Sequence, residues 1–158
     1  MFRSTFIAAF GVRAAASAPV AAGGNAPLLT VSGPLGVQTY DLPALEALSP
    51  AGFHTSTIWT KGQPQFEGVP LKTLLDAARI TDGSILATAI NDYAVEIPVA
   101  EITEDYPIVA YRMDGRVMSV RDKGPLWVVY PFNADPGLQS EVIYSRSIWQ
   151  LDRLTVKP

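Results

Sequence analysis

Asp114-Gly115 stands between two runs, Ile108–Met113 and Arg116–Val120, that are rich in β-branched and apolar side chains. Asp-Gly in that setting is the strongest short-range hairpin signal, because both central residues of a type I′ turn need positive φ. The same grammar recurs along the chain. Asn91-Asp92 separates Ile85–Ile90 from Tyr93–Ile97, and Gly33-Pro34-Leu35-Gly36 separates Leu28–Val31 from Gln38–Asp41. Phe53–Thr60 and Leu151–Val156 read as further strands, as does Leu126–Tyr130, which is too uniformly apolar for a one-sided edge. Two helices interrupt them. Leu42–Leu48 follows Asp41 as N-cap with Pro43 in its first turn. Pro70–Arg79 carries Leu71, Leu74, Leu75 and Ala78 at helical spacing. With no repeats and no internal linker, the expected class is α+β, a strand-dominated mixed single domain.

Composition narrows the chemistry. The 158 residues amount to one domain, and 48% hydrophobic content is enough for a core. A net charge of −3 offers no basic surface for nucleic acid. The absence of cysteine removes disulfides, thiolate metal ligands and cysteine nucleophiles together. With His54 as its one histidine, the chain cannot build a multi-histidine zinc site alone. No apolar run approaches the ~20 residues of a transmembrane helix. At the N-terminus, Met1-Phe2-Arg3, the apolar Ser4–Val12 and the small Ala16-Ser17-Ala18 have the form of a secretion signal. Arg13 interrupts that pattern, and an Ala-rich leader over Ala14–Asn25 is the alternative. Residues 1–25 are therefore expected to be a leader, 26–158 the domain, and the location periplasmic or secreted.

Several segments in order resemble one family. Trp59-Thr60-Lys61-Gly62 is followed by Phe66-Glu67-Gly68-Val69-Pro70-Leu71 leading into Leu74-Leu75, and then by Met113-Asp114-Gly115-Arg116. Gly124-Pro125-Leu126-Trp127, Tyr130-Pro131 and Ile148-Trp149-Gln150-Leu151 complete the series. The set resembles the sulfite-oxidase superfamily of oxidoreductase molybdopterin-binding domains, over Leu28 to Val156, and most of all its short exported bacterial members that carry this domain alone. The resemblance implies the superfamily's strand-dominated domain, molybdopterin as cofactor and oxidoreductase chemistry.

It also exposes departures. In the catalytic family a cysteine thiolate binds molybdenum a few residues before the tryptophan. Here the stretch reads Phe53-His54-Thr55-Ser56-Thr57-Ile58-Trp59, so that position falls on Thr55 or Ser56. A hydroxyl of very high pKa does not replace a soft thiolate at neutral pH. The family's "H-G-x-P-x-R" element corresponds to Val120-Arg121-Asp122-Lys123-Gly124-Pro125, and its basic residue before the C-terminal tryptophan is Ile148.

The candidate binding residues are accordingly His54, Thr55, Ser56, Asn91, Asp92, Arg121, Lys123 and Arg146. No catalytic residue and no metal ligand is assigned. Arg121 and Lys123 suit a phosphate or another anion, or else form a solvated turn with Asp122. Arg146, with Ser145 and Ser147, completes an anion pocket or is a surface arginine. His54, the one imidazole of the chain, touches a ligand or is a hydrogen-bonded strand histidine. Asn91-Asp92-Tyr93 lines a cleft mouth, or makes an Asx turn with Tyr93 entering the core. Trp59, Trp127 and Trp149 read most simply as core anchors. Glu104 and Asp105 read as a solvated loop, with Glu101 a helix partner. Thr55, Ser56, Arg121 and Lys123 are expected to converge on one cleft.

Two functions compete. One is a molybdopterin-binding-domain-like protein, catalytically degenerate for want of its cysteine, with pterin held by family resemblance and molybdenum not tightly held. The other is a cofactor-free exported module that binds or senses a small anion on the same fold. Acid–base chemistry by His54 with Asp92 is a third option without spacing to support it. The expected partner is a small-molecule ligand or the pterin, with no nucleic acid and no transmembrane segment.

Overall fold

The Asp114-Gly115 turn closes a two-residue hairpin with φ of 53° and 78° at its centre, as the type I′ geometry requires. It joins β7 (Ile108–Met113) to β8 (Arg116–Val117), pairing Met113 with Arg116. The computed structural model describes residues 26–157, so the expected leader lies outside the described residues.

Two five-stranded sheets organise the domain. The first has the order β2-β1-β10-β5-β6, from β1 (Leu29–Gly33), β2 (Gly36–Tyr40), β5 (Ser84–Ala89), β6 (Ala94–Pro98) and β10 (Leu151–Lys157). Its β1–β10 pair is parallel and its other pairs are antiparallel. The second runs β3-β4-β7-β8, with β3 (Ala51–His54) and β4 (Gln65–Pro70), while β9 (Trp127–Val129) pairs with the start of β7. One cluster of buried apolar side chains draws on both sheets and on α2 (Leu71–Ala77). The strand-rich α+β class expected from the sequence is the one found.

Local chemistry explains the elements. In α1 (Leu42–Glu46) the Asp41 carboxylate accepts from Ala44 N at 2.9 Å, capping the first turn. Helix α2 ends in a Schellman motif, with Ile80 N donating to Leu75 O at 2.9 Å and Arg79 N to Asp76 O at 3.1 Å. Arg79 takes the left-handed position usually given to glycine, at φ 58°. Helix α2 is thus shorter than the expected Pro70–Arg79, and Pro70 ends β4 as its N-cap. The strand expected over Phe53–Thr60 stops at His54, because hydroxyls take over the backbone's bonding after it. Trp59 N donates to Thr57 Oγ1 at 3.1 Å, and the Thr57 and Thr60 hydroxyls meet at 2.7 Å. The expected Arg116–Val120 strand shortens because Ser119 caps a 3₁₀ turn over Val120–Asp122. A third helix, α3 (Glu141–Arg146), capped by Ser140, was not expected.

The two sheets are tied at one seam. Gln150 N donates to Lys123 O, Val128 N to Ile148 O, and Leu151 N to Leu126 O, all within 3.0 Å. Segment 148–151, which leads into β10 of the first sheet, is thereby bonded along 123–128, which leads into β9 of the second.

Two outcomes follow for stability. A Cβ on Gly68 would lie 2.1 Å from Val109 O at the irregularity between β4 and β7. Gly68→Ala should therefore cost about 1–3 kcal/mol in urea unfolding. Burial also raises the phenol pKa of Tyr40, Tyr111 and, most of all, Tyr130. These phenols stay neutral in the fold while the unfolded chain ionises near pH ~10, so their contribution is full below that pH and is lost as pH rises above it. Tyr130→Phe should flatten the alkaline limb of a stability–pH profile.

Candidate functional site

The site is built around Trp59. The hydroxyl-bonded turn of Thr57–Thr60 presents its indole edge-on to four rings at centroid distances of 5.6 Å (Trp149), 5.8 Å (Tyr144), 5.9 Å (Trp127) and 6.3 Å (Phe132). Interplanar angles of 63–88° are the edge-to-face arrangement that aromatic quadrupoles favour. Trp127 is fully buried and donates its indole N–H to Ser147 O at 3.2 Å. Trp149 is 39% exposed, so it is a wall of the site rather than the expected core anchor.

Two cavities meet at Tyr144. The larger, of about 250 Å³, is lined by Trp59, Asn91, Tyr93, Tyr144, Trp149 and Gln150 among others. The smaller, of about 150 Å³, is lined by Ser56, Thr57, Ile58, Phe132, Asn133, Gln139 and Tyr144. Tyr93 is 56% exposed and lines the larger cavity instead of entering the core. The Asx turn is present beside it, with Tyr93 N donating to Asn91 Oδ1 at 3.2 Å.

The hydroxyl pair is committed to internal bonds. Thr55 is fully buried, its Oγ1 donating to Ser56 O at 3.1 Å and accepting from Asn133 N at 3.2 Å. Ser56 Oγ donates to Asn133 Oδ1 at 2.5 Å. Segment 55–56 is thus stitched to Asn133 at the wall of the smaller cavity. The residues do not fit the molybdenum centre that the resemblance implies. The chain has no thiolate, both hydroxyls are engaged, and the described residues contain no cluster of three or more His, Cys, Asp or Glu.

The remaining candidates are spread out. Lys123 sits in the left-handed region at φ 73°, followed by Gly124, where a Cβ would lie 2.1 Å from Met118 O. Its ammonium lies 5.0 Å from the Trp149 ring and 5.8 Å from that of Trp127, within cation–π range. Arg121 is exposed in the preceding 3₁₀ turn and lines neither cavity. Asp92, in the left-handed region at φ 66°, pairs with Arg153. Arg146 pairs with Glu101 at 2.7 Å, and Glu101 belongs to a 3₁₀ turn rather than to a helix pair. His54 is exposed opposite Gln65, on a different sheet from the turn that carries Asp92.

The fold therefore brings Ser56, Asn91 and Lys123 to one aromatic cluster, with Thr55 behind it, and leaves His54, Arg121 and Arg146 outside the two cavities. Sequence reasoning missed Tyr144 and Asn133. The Ser140-Glu141 cap was a readable sign of the helix that carries Tyr144, whereas nothing local marks Asn133. In this cysteine-free chain a Ser56→Cys thiol should react with a maleimide in the folded protein. Thr55→Cys should react only on unfolding, since that position has no exposed surface.

No curated protein matches the chain. The family model of the oxidoreductase molybdopterin binding domain matches residues 47–134, more than half of the sequence. The matched stretch includes the hydroxyl pair, Trp59, Asn91 and Lys123, and it ends before Tyr144 and Trp149, which complete the cavity walls. This chain belongs to the oxidoreductase molybdopterin-binding domain family.

Proposed function

We propose that this protein is a catalytically degenerate member of the family, which keeps the scaffold and its aromatic cavities but holds no molybdenum tightly. One observation carries the reading. By the resemblance, the place of the metal-binding cysteine falls on Thr55 or Ser56, whose hydroxyls are spent on Asn133 and on the neighbouring carbonyl. Even a free alcohol would be a weak, protonated oxygen donor where a soft, strongly donating thiolate is needed. The family's other altered positions agree with this, since Ile148 offers no charge and Arg121 lies away from the cavities.

A second reading, a cofactor-free module for a small anion, draws support from Lys123. Its ammonium is aimed at the aromatic cluster and has no carboxylate partner among the described residues. Export to the periplasm or medium belongs to the same proposal and rests on the signal-like pattern of residues 1–18 alone.

The test is elemental analysis of protein made in a host that synthesises and inserts the cofactor. The unmodified chain should carry far less than one molybdenum per chain and show no sulfite-oxidase-type turnover. Ser56→Cys, whose thiol would face the smaller cavity, should gain metal before Thr55→Cys does. Stoichiometric molybdenum with redox turnover in the unmodified protein would overturn the reading.

A further inference from the structure

We infer that the larger cavity, walled by Trp59, Tyr93, Tyr144 and Trp149, is a binding site for a flat aromatic ring that carries a carboxylate. The inference does not depend on whether the protein holds molybdenum, because none of the cavity's walls is a hydroxyl of the Thr55–Ser56 pair.

The ring is called for by the walls. Trp59 stands at 88° to Trp149 and at 86° to Tyr144. A flat guest lying against one of these rings meets another edge-on, which satisfies both geometries that aromatic groups prefer. A cavity of about 250 Å³ is small for a drug-sized ligand and suits one or two rings.

The charge follows from what surrounds the walls. No ionised side chain lines the cavity. Asp92, between Asn91 and Tyr93, shares the Arg153 guanidinium with Asp152 and is 82% exposed to water, and Arg146, beside Ser145 and Ser147, pairs with Glu101. Lys123 has no such carboxylate among the described residues, and its ammonium rests against Trp149, itself a wall. The charge seated against a wall of the cavity is therefore positive.

The free donors point the same way, with Gln150 Oε1 the acceptor left beside them among the described residues. Asn91 accepts through Oδ1 from Tyr93 N, leaving its amide NH₂ without a protein partner among the described residues, and the Trp149 indole N–H has none either. Both are donors. Ser145 and Ser147 spend their hydroxyl protons on Val142 O and Ile143 O. A ligand offering acceptor oxygens and negative charge answers these two donors and the ammonium, and a cation answers none of them.

Tryptophan fluorescence reads the cavity directly, because Trp59 and Trp149 line it. Four probes separate the contributions of ring and charge. Benzoate has both, benzyl alcohol the ring alone, cyclohexanecarboxylate the charge alone, and benzyltrimethylammonium the ring with opposite charge. Benzoate should quench saturably and bind at least about tenfold more tightly than each of the other three. Lys123→Gln should bring benzoate down to the level of benzyl alcohol while the protein stays folded by circular dichroism. Tyr93→Ala, at a position more than half exposed and so harmless to the fold, should weaken both uncharged and anionic ring probes. Equal binding of all four probes, tighter binding of the cation, or no saturable quenching by benzoate would each overturn the inference.

Discussion

The edge-to-face packing of Trp59 on Trp127, Phe132, Tyr144 and Trp149 is the contact on which the site depends. These rings come from β9, the segment after it, α3 and the bend before β10, all within residues 127–149 and far from Trp59 in sequence. Each aromatic pair contributes about 0.5–1.5 kcal/mol beyond its buried area. Their shared partner makes the set cooperative, because displacing Trp59 removes an edge from four rings at once. The backbone seam between 123–128 and 148–151 holds two of those rings in place and carries Lys123 to them.

The same turn that aims Trp59 also decides what chemistry the site offers. After His54 the chain leaves the sheet, and Thr55, Ser56, Thr57 and Thr60 satisfy the freed backbone with hydroxyls. In the resemblance this is the stretch that presents a thiolate. Here it presents a stitched loop whose polar atoms face inward to Asn133. Elsewhere the sequence answers backbone needs, as at Gly68, whose close approach to Val109 leaves no room for a side chain.

What could be read in the sequence was local. The Asp114-Gly115 hairpin, the Asp41 cap, the Asn91-Asp92 turn and the α+β class follow from side chains within a few residues of one another. The strand over 53–60 was overextended because β-branched threonines favour strands, and their competing side-chain bonds depend on a loop geometry that periodicity does not encode. Of the two placements open to Tyr93, cleft mouth or core, the fold takes the first, with the Asx turn beside it. The meeting of Lys123 with Trp149 rests on pairing between segments separated in sequence, so only the fold reveals it. Arg121 and Lys123 are two residues apart and looked equivalent. The left-handed backbone at Lys123 sends one to the indoles and leaves the other in solvent.

The hydroxyls of Thr55 and Ser56 are spent on holding the loop together. A double-mutant cycle on Ser56→Ala and Asn133→Ala, followed by urea unfolding, measures that commitment directly. The side-chain bond between them, 2.5 Å long, predicts a coupling of about 0.5–1.5 kcal/mol. Strict additivity of the two substitutions would mean that the Ser56 hydroxyl is free, and would contradict the account.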